Sequence, residues 1–370
     1  MKAPNLLDRA PGDVARALAL ELLEKAAAGA TRLEAGERDD ALHAFRVAVR
    51  RLRTLLEAHR EFLEETVSKK HVRALHRLAD DTGDARDAEV QLAWLAEHGA
   101  ELAPRGRGAA SWLAQRLSER REEAHEALRD EVLPRFRKLE KRLSRRLSRV
   151  ETAGTPGASG PTFARALSEL LRGASAKLVR SLAAVNDATD VEAAHRSRLR
   201  AKRLRYRIEP LEHTSLRRPA RRALRALEEL QDLLGGLHDA HVLSAQLADA
   251  LVDAAGARAR RQHEALYSPD GSRPEKDLGP GLLPIDRLVR DRARGLFEEL
   301  DARWSAERRS AFAEEVEGLA TALDRRSARA SRATSTRSRR TASSSRRGRQ
   351  DQGPALHRRR SLARPRSSQR

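Results

Sequence analysis

The sequence contains no cysteine and few aromatic residues, and both absences narrow the range of folds and activities. Without cysteine the chain has no disulfide framework, no thiolate ligand for a metal and no cysteine nucleophile. Aromatic residues make up 3% of the chain, whereas 39% is hydrophobic and 35% is charged. This balance is typical of helices rich in Ala, Leu, Arg and Glu rather than of strands, so we predict an all-α fold.

Long apolar stretches are missing as well. No window approaches the roughly 18 apolar residues that a membrane-spanning helix needs. Near the N-terminus, charged residues such as Asp8, Arg9 and Asp13 interrupt the apolar core that a signal peptide requires. The sequence therefore predicts a soluble, cytoplasmic protein that does not bind membranes.

Positive charge, by contrast, is abundant and unevenly distributed. The chain has 74 Lys and Arg against 54 Asp and Glu, a formal net charge of +20 and a pI of about 11.2. Residues 325–370 contain 16 Arg and one acid, Asp351, but no Phe, Tyr, Trp, Ile or Val. Such a segment buries too little apolar surface to offset its ordering entropy, so we predict a disordered tail. This tail is either an arm that binds nucleic acid nonspecifically or a segment of biased composition without a role.

The rest of the chain has the pattern of amphipathic helices, interrupted at 99–108, 154–161 and 268–284. Shifting the sequence by 152 residues aligns His43–Ala96 with His195–Ala248 without a gap, and 18 of the 54 pairs are identical. This alignment indicates an internal duplication. We predict a first helical half at 10–150, a linker at 151–161, a second half at 162–324 and the tail at 325–370.

Each repeat begins with a helix that carries a stripe of basic residues. The first reads HAFRVAVRRLR from His43, and the second reads HRSRLRAKRLRY from His195. At about 100° per residue, the basic residues of the first helix fall within an arc of about 80° beside the apolar arc. The stripe is therefore expected at the margin of the core, where it lines a groove between helices. Because like charges at this spacing repel, it needs either acids of the chain or a bound anion.

Two further parts of the repeat follow at the same offset: a second basic group, and a segment that reads LADDTGDARDAEV in one copy and LQDLLGGLHDAHV in the other. We interpret the segment as a helical hairpin in which Asp side chains cap a helix start and Gly83 and Gly235 permit the turn. The alternative is a metal site, formed by the acids at 80–87 or by His238 and His241. The acids do not have EF-hand spacing, and the histidines have no counterpart in the first copy, so we predict no metal.

Catalytic motifs are missing from the sequence. There is no P-loop, no HExxH and no ExExK string. A phosphatase or kinase would need carboxylates that hold metal ions, or a nucleophile beside a base. We therefore predict a protein that is not an enzyme and that needs no cofactor.

These features together resemble the CHAD family, the conserved histidine α-helical domain. The resemblance lies in HxxR followed by two basic residues, Leu and Arg, in the repetition of that motif, and in a later (R/H)DxxV in each half; it covers about residues 10–320. It implies two similar antiparallel four-helix bundles, related by a pseudo-twofold axis, around a basic central groove. It also implies that the groove binds inorganic polyphosphate, in a standalone member without a CYTH domain that associates with polyphosphate granules.

We therefore predict non-catalytic binding of inorganic polyphosphate. Arg offers a fork of donors that matches phosphate oxygens, and the chain has few rings on which nucleic-acid bases could stack. Two alternatives stay open, a nonspecific nucleic-acid-binding protein and a scaffold whose basic stripes pair with its own acids. His43 and His195 either donate to phosphate or bond to neighbouring backbone or carboxylate groups. The predicted binding residues are His43, Arg46, Arg50, Arg51, Arg53, Lys69, Lys70, Arg73, His195, Arg198, Lys202, Arg203, Arg205, Tyr206, Arg221, Arg222 and Arg225.

Overall fold

Helices dominate the architecture. The computed structural model describes residues 6–149, 160–267 and 278–347, and within them it contains helices and no β-strand. The prediction of an all-α fold is therefore confirmed. The α-helices are α1 (Pro11–Glu34), α2 (Asp39–Ala58), α3 (Lys69–Asp81), α4 (Gly83–His98), α5 (Pro104–Ala127), α6 (Leu133–Leu147), α7 (Phe163–Leu182), α8 (Val191–Ile208), α9 (Arg217–Ala265), α10 (Gly279–Arg303) and α11 (Ala306–Arg347). Short 3-10 turns lie at 6–8, 60–62, 99–101 and 209–213, and a π-helical segment at 128–132 joins α5 to α6.

Local sequence explains where several helices begin and end. Proline occupies the first turn of α1, α5, α6 and α10, where its missing N–H is not needed. α7 begins after Thr162, whose Oγ1 accepts a hydrogen bond from the backbone N–H of Arg165 at 3.3 Å. The chain reverses after α1 at Gly36, whose φ of 88° suits glycine. This reversal brings α2 back against α1.

Buried side chains form two clusters. The first joins α1, α2, α3 and α6, and within it Phe45 and Phe136 meet edge to face with ring centroids 4.9 Å apart. The second joins α7 to α11, but it also takes in Leu95, Leu113 and Leu117 from α4 and α5. Helices of the first repeat therefore pack with the second, and the core does not divide at the predicted linker.

The contact between α5 and α10 explains why the core does not divide at the linker. This contact depends on Gly281. A Cβ atom at Gly281 would lie 2.6 Å from the carbonyl oxygen of Arg105 and 2.7 Å from Cβ of Ala109. Neither atom is the end of a flexible side chain, so the two helices would have to move apart. Glycine at this position therefore lets α5 pack directly on α10.

We predict that Gly281→Ala destabilises the protein by about 1–3 kcal/mol, because the added methyl group overpacks the α5–α10 contact. Gly295→Ala on the same helix is the matched control, since no atom lies within 4 Å of its Cβ position. There alanine should stabilise the helix by up to about 1 kcal/mol. Urea unfolding followed by circular dichroism should give midpoints on opposite sides of the wild-type value. A Gly281→Ala midpoint at or above wild type would contradict the close contact.

The predicted helical hairpin is wrong in the second repeat, and in the first repeat the predicted aspartate cap is wrong. In the second repeat α9 runs without a break through Gly235, so this glycine makes no turn. In the first repeat only Thr82 separates α3 from α4, and it is Thr82 rather than an aspartate that precedes α4. The apolar residues of α9 are buried before and after Gly235, for example Leu234 and Leu237, so packing along the whole helix outweighs the low helix propensity of glycine.

Two predicted breaks lie partly outside the described residues. Residues 150–159 include most of the predicted linker, and residues 268–277 include most of the third predicted break. The third break ends earlier than predicted, because α10 begins at Gly279 and contains Pro284 within its first turns. Pro284 removes one backbone hydrogen bond of α10, and burial of the flanking Leu282 and Ile285 keeps the helix continuous through it.

α11 also continues beyond the predicted start of the tail, as far as Arg347. Arg326 donates to both carboxylate oxygens of Asp8, at 3.0 and 2.7 Å, and Thr162 Oγ1 donates to Ser327 Oγ at 2.8 Å. The first part of the predicted tail, 325–347, is therefore continuous with α11, and its start makes contacts that offset part of its ordering entropy. Residues 348–370 lie outside the described residues.

Candidate anion-binding site

α2 and α8 carry the two basic stripes, and their buried faces fix how the stripes are oriented. Phe45 on α2 and Leu204 on α8 are fully buried, as are the other main apolar residues of these faces. The basic residues occupy the neighbouring arc and so lie at the edge of the core. α2 packs against α8, and Arg50 Nε donates across this contact to the hydroxyl oxygen of Tyr206 at 3.3 Å. The structure thus brings the two basic motifs together.

A group of residues from both helices, which we name the central cluster, shares one electrostatic environment. Burial lowers the pKa of Lys202 to about 6, and the charges of Arg198 and Arg50 act in the same direction. Burial also lowers the pKa of His43, and neighbouring charges, among them Lys202 on the other helix, lower it further. Cations of the two repeats therefore lie close together in a partly buried region. The central cluster consists of His43, Arg46, Arg50, His195, Arg198 and Lys202.

Three cations of the two motifs have no polar partner of any kind among the described residues. Arg198, Lys202 and Arg203 make no hydrogen bond or ion pair with any residue that the structure describes, and Nε of Arg198 is buried without an acceptor. Burial lowers the pKa of Arg198, although the carboxylate of Asp239 opposes this shift. Charge that is removed from water without a partner costs free energy, so this region favours an anionic ligand.

Arg46 is held in place by α3. It donates to the carbonyl oxygen of Ala79 at 3.1 Å and to Thr82 Oγ1 at 2.6 Å. These neutral acceptors fix the guanidinium without cancelling its charge. Burial, followed by the charge of Arg50, lowers its pKa to about 10, so it stays charged at neutral pH. Sequence analysis missed Thr82, which connects the turn before α4 to the basic stripe of α2.

Other arginines of the motifs are paired with acids of the chain. Arg51 Nη2 lies 2.8 Å from Glu209 Oε1, and Arg205 Nε lies 3.3 Å from the same atom. Arg53, only 8% exposed, has its Nε 3.9 Å from Glu57 Oε1. Internal salt bridges therefore neutralise part of each stripe, as the scaffold alternative supposes, but they do not reach Arg198 or Lys202.

The two motif histidines, His43 and His195, form no hydrogen bond to a backbone or carboxylate group of the described residues. His43 is only partly covered by its neighbours and makes no hydrogen bond with the described residues. His195 Nδ1 lies 3.5 Å from Nδ1 of His238, whose pKa burial and neighbouring positive charges lower to about 3. His241 Nε2 lies 2.6 Å from the carbonyl oxygen of Ala188, so His238 and His241 contact different groups.

Two carboxylates also lie near the stripes, Asp87 on α4 and Asp239 on α9. Burial raises the pKa of both carboxyl groups, whereas Arg46 lowers that of Asp87 and Arg198 lowers that of Asp239. Sequence analysis placed them in a hairpin rather than near the basic residues. Their equivalent positions in the two repeats were the signal that could have found them.

The second basic group of each repeat is not joined to the central cluster. All six of these outer basic residues are exposed, and no hydrogen bond or ion pair within the described ranges links them to the central cluster. Among the described acids, only Glu212 pairs with one of them, at 3.3 Å from Arg221. The outer basic residues are Lys69, Lys70, Arg73, Arg221, Arg222 and Arg225.

We predict that the double variant Arg222→Glu, Arg225→Glu weakens polyphosphate binding by less than about fivefold, because solvent and salt screen exposed charges. Isothermal titration with long-chain polyphosphate measures the effect. Arg290→Glu with Arg294→Glu on α10 changes the net charge equally and is the control. A loss of more than about tenfold beyond that control would show that the outer residues contact the ligand.

The fold and the site define an all-helical protein with a basic region built from two related helix motifs. The family model of the CHAD domain matches residues 17–248, and the chain belongs to the CHAD family. The chain is also similar to the crystal structure of the CHAD domain from the plant Ricinus communis, with a TM-score of 0.54 and 21% sequence identity. The similarity covers 85% of this chain and 94% of the plant chain. At this identity it shows that the two chains share a fold. No curated protein sequence matches this chain.

None of the helices in the described ranges is long and apolar enough to cross a bilayer. Within the same ranges, no group of three or more His, Cys, Asp or Glu side chains is arranged to hold a metal ion.

Proposed function

We propose that the protein binds inorganic polyphosphate, without catalysing a reaction on it, in the groove lined by the central cluster. The observation that carries the proposal is the partly buried guanidinium of Arg198, which has no acidic partner and lies next to Arg50 from the other repeat. Lys202, also without a partner, would take up a proton when an anion binds beside it. A phosphate chain would supply the missing negative charge. Membership of the CHAD family supports the same ligand.

The guanidinium and ammonium groups of the central cluster suit a polymer of phosphate. Guanidinium groups bind phosphate oxygens in pairs, and an ammonium group adds a compact charge. Arg46 and Arg50 are one turn apart on α2, a rise of about 6 Å, so they could bind successive phosphate units of a chain. Cations from α8 would hold the same chain from the other side.

The rings of the chain argue against stacked nucleic-acid bases as the ligand. Tyr206 accepts a hydrogen bond from Arg50 of the central cluster, and its ring is already covered by arginines: the guanidinium carbons of Arg51 and Arg205 lie 5.1 and 5.7 Å from its centroid. Phe45 and Phe136 are fully buried. Single-strand binders usually offer open aromatic faces to bases. Polyphosphate needs no such face, so it fits better than RNA or DNA.

Competition between polyphosphate and single-stranded RNA tests the proposal. The full chain and a chain that ends at Arg332 are titrated with each ligand; this truncation keeps the contacts of Arg326 and Ser327. We expect the shortened chain to keep its polyphosphate affinity and to lose most of its affinity for RNA. RNA that binds the shortened chain as tightly as polyphosphate would favour the nucleic-acid alternative, and a lack of binding by either would favour the scaffold.

Association with polyphosphate granules is part of the proposal. A fluorescently tagged chain should colocalise with granules in cells that make polyphosphate and should be diffuse in cells that do not. Diffuse fluorescence in both would contradict this part.

A further inference from the structure

A cavity of about 310 Å³ lies beside the basic region, on the side of α1 and α7. It is bounded by α1, the C-terminal end of α2, the start of α7 and the 3-10 turn at 209–213. One side of it is apolar, and its size is at the lower end of small-molecule sites. The apolar side is formed by Leu18, Leu22, Leu55, Phe163 and Leu167.

Two residues of the cavity wall, His59 and Arg207, each contain a buried nitrogen atom without a hydrogen-bond partner among the described residues. His59 is 2% exposed, and its Nδ1 has no hydrogen-bond partner. Burial, followed by the charge of Arg207, lowers the pKa of His59 to about 4, so its imidazole is neutral. Nε of Arg207 is also buried without an acceptor, and Arg207 makes no ion pair with the described residues. Unsatisfied buried polar groups are uncommon and call for an explanation.

The other charged residues of the cavity wall are already paired. Glu21 accepts from Lys25 at 2.6 Å, and Glu209 accepts from Arg51 at 2.8 Å. Glu212 is 3.3 Å from Arg221, which lies outside the wall. Arg207 is therefore the cation of the wall that lacks a partner among the described residues.

We propose that this cavity binds a small amphipathic carboxylate. Its apolar body would pack on the leucines and Phe163, and its carboxylate would accept from the Nη atoms of Arg207 and from the Nε2–H of His59, because Nε of Arg207 and Nδ1 of His59 are shielded from the cavity. One unpaired cation beside a neutral histidine matches a single negative charge, which favours a carboxylate over a doubly charged phosphate monoester. The site is separate from the central cluster, and the inference does not rest on polyphosphate binding.

Isothermal titration of the full chain with decanoate tests the site, with decanol as the uncharged comparison. We expect saturable binding of decanoate with one molecule per chain and binding of decanol that is at least about tenfold weaker, since a charge-assisted hydrogen bond is lost. Arg207→Gln should weaken decanoate binding by about tenfold or more for the same reason. Arg196→Gln on the same helix is the matched control, because Arg196 is exposed and lies outside the cavity.

Ala58→Phe provides a second variant that blocks the cavity without removing a charge. Ala58 lines the cavity and belongs to neither basic motif, so this variant should lose decanoate binding and keep its polyphosphate affinity. Circular dichroism checks that both variants fold. The proposal is overturned if decanoate does not bind, if decanol binds equally well, if Arg196→Gln weakens binding as much as Arg207→Gln, or if a folded Ala58→Phe variant still binds decanoate normally.

Discussion

Reversing the charge of Arg50 and Arg198 together should weaken polyphosphate binding by at least about 100-fold, because each hydrogen bond to a charged group contributes about 1.5–3 kcal/mol. The two residues come from different repeats, and their charges act on each other across the contact of α2 with α8. Arg50 is a better choice than Arg46, since Arg46 also holds the end of α3 through Ala79 and Thr82. Isothermal titration of Arg50→Glu, Arg198→Glu with long-chain polyphosphate measures the loss.

A matched variant separates this local effect from net charge. Arg290→Glu with Arg294→Glu removes the same amount of positive charge from exposed positions on α10, where each arginine is paired within its own helix. We expect this control to bind within about threefold of wild type, because exposed charges are screened. Equal losses in the two double variants, with circular dichroism unchanged, would mean that binding depends on overall charge and not on the central cluster.

Polyphosphate affinity should fall as the pH rises above about 6, and Lys202 should cause most of this change. Its pKa in the free protein is about 6, because burial and the charges of Arg198, Arg50 and Arg205 disfavour the ammonium form more than Asp239 favours it. A bound phosphate chain favours the charged form and raises this pKa, so binding takes up a proton. Affinity is then highest where Lys202 is already protonated, below its free pKa, and decreases by at most about tenfold per pH unit above it.

Lys202→Arg tests this origin of the pH dependence. An arginine keeps its charge over a wider range of pH, so the variant should bind polyphosphate with little change above about pH 6. Burial also lowers the pKa values of His43 and His195. Their protonation should therefore cause a smaller pH dependence of polyphosphate affinity below about pH 6. A pH profile for Lys202→Arg that is as steep as that of wild type would show that another group takes up the proton.

The all-helical fold and the meeting of the two basic motifs could be predicted from sequence for physical reasons. The basic arc of α2 adjoins residues such as Phe45 and Leu52 that must be buried, so the stripe had to lie at the core margin. Because the two copies align without a gap, the same pattern predicts a basic stripe beside the core on α8. These features depend on helical periodicity, which is local and strong.

Other features depend on which helices pack together, and local sequence does not specify that. Gly235 looks like a turn residue, but the buried leucines around it keep α9 continuous. The packing of α5 on α10 requires the absence of a side chain at Gly281, which has no recognisable local pattern. The pairing of Arg51 and Arg205 with Glu209 similarly arises only when α2, α8 and the turn after α8 come together.

A crystal structure of the full chain with a short polyphosphate bound would test the central claim most directly. We predict phosphate density between α2 and α8, with oxygens at hydrogen-bonding distance from Arg50 on one helix and from Arg198 and Lys202 on the other. Phosphate bound only at the outer basic residues or along α11, with the central cluster unoccupied, would contradict the account.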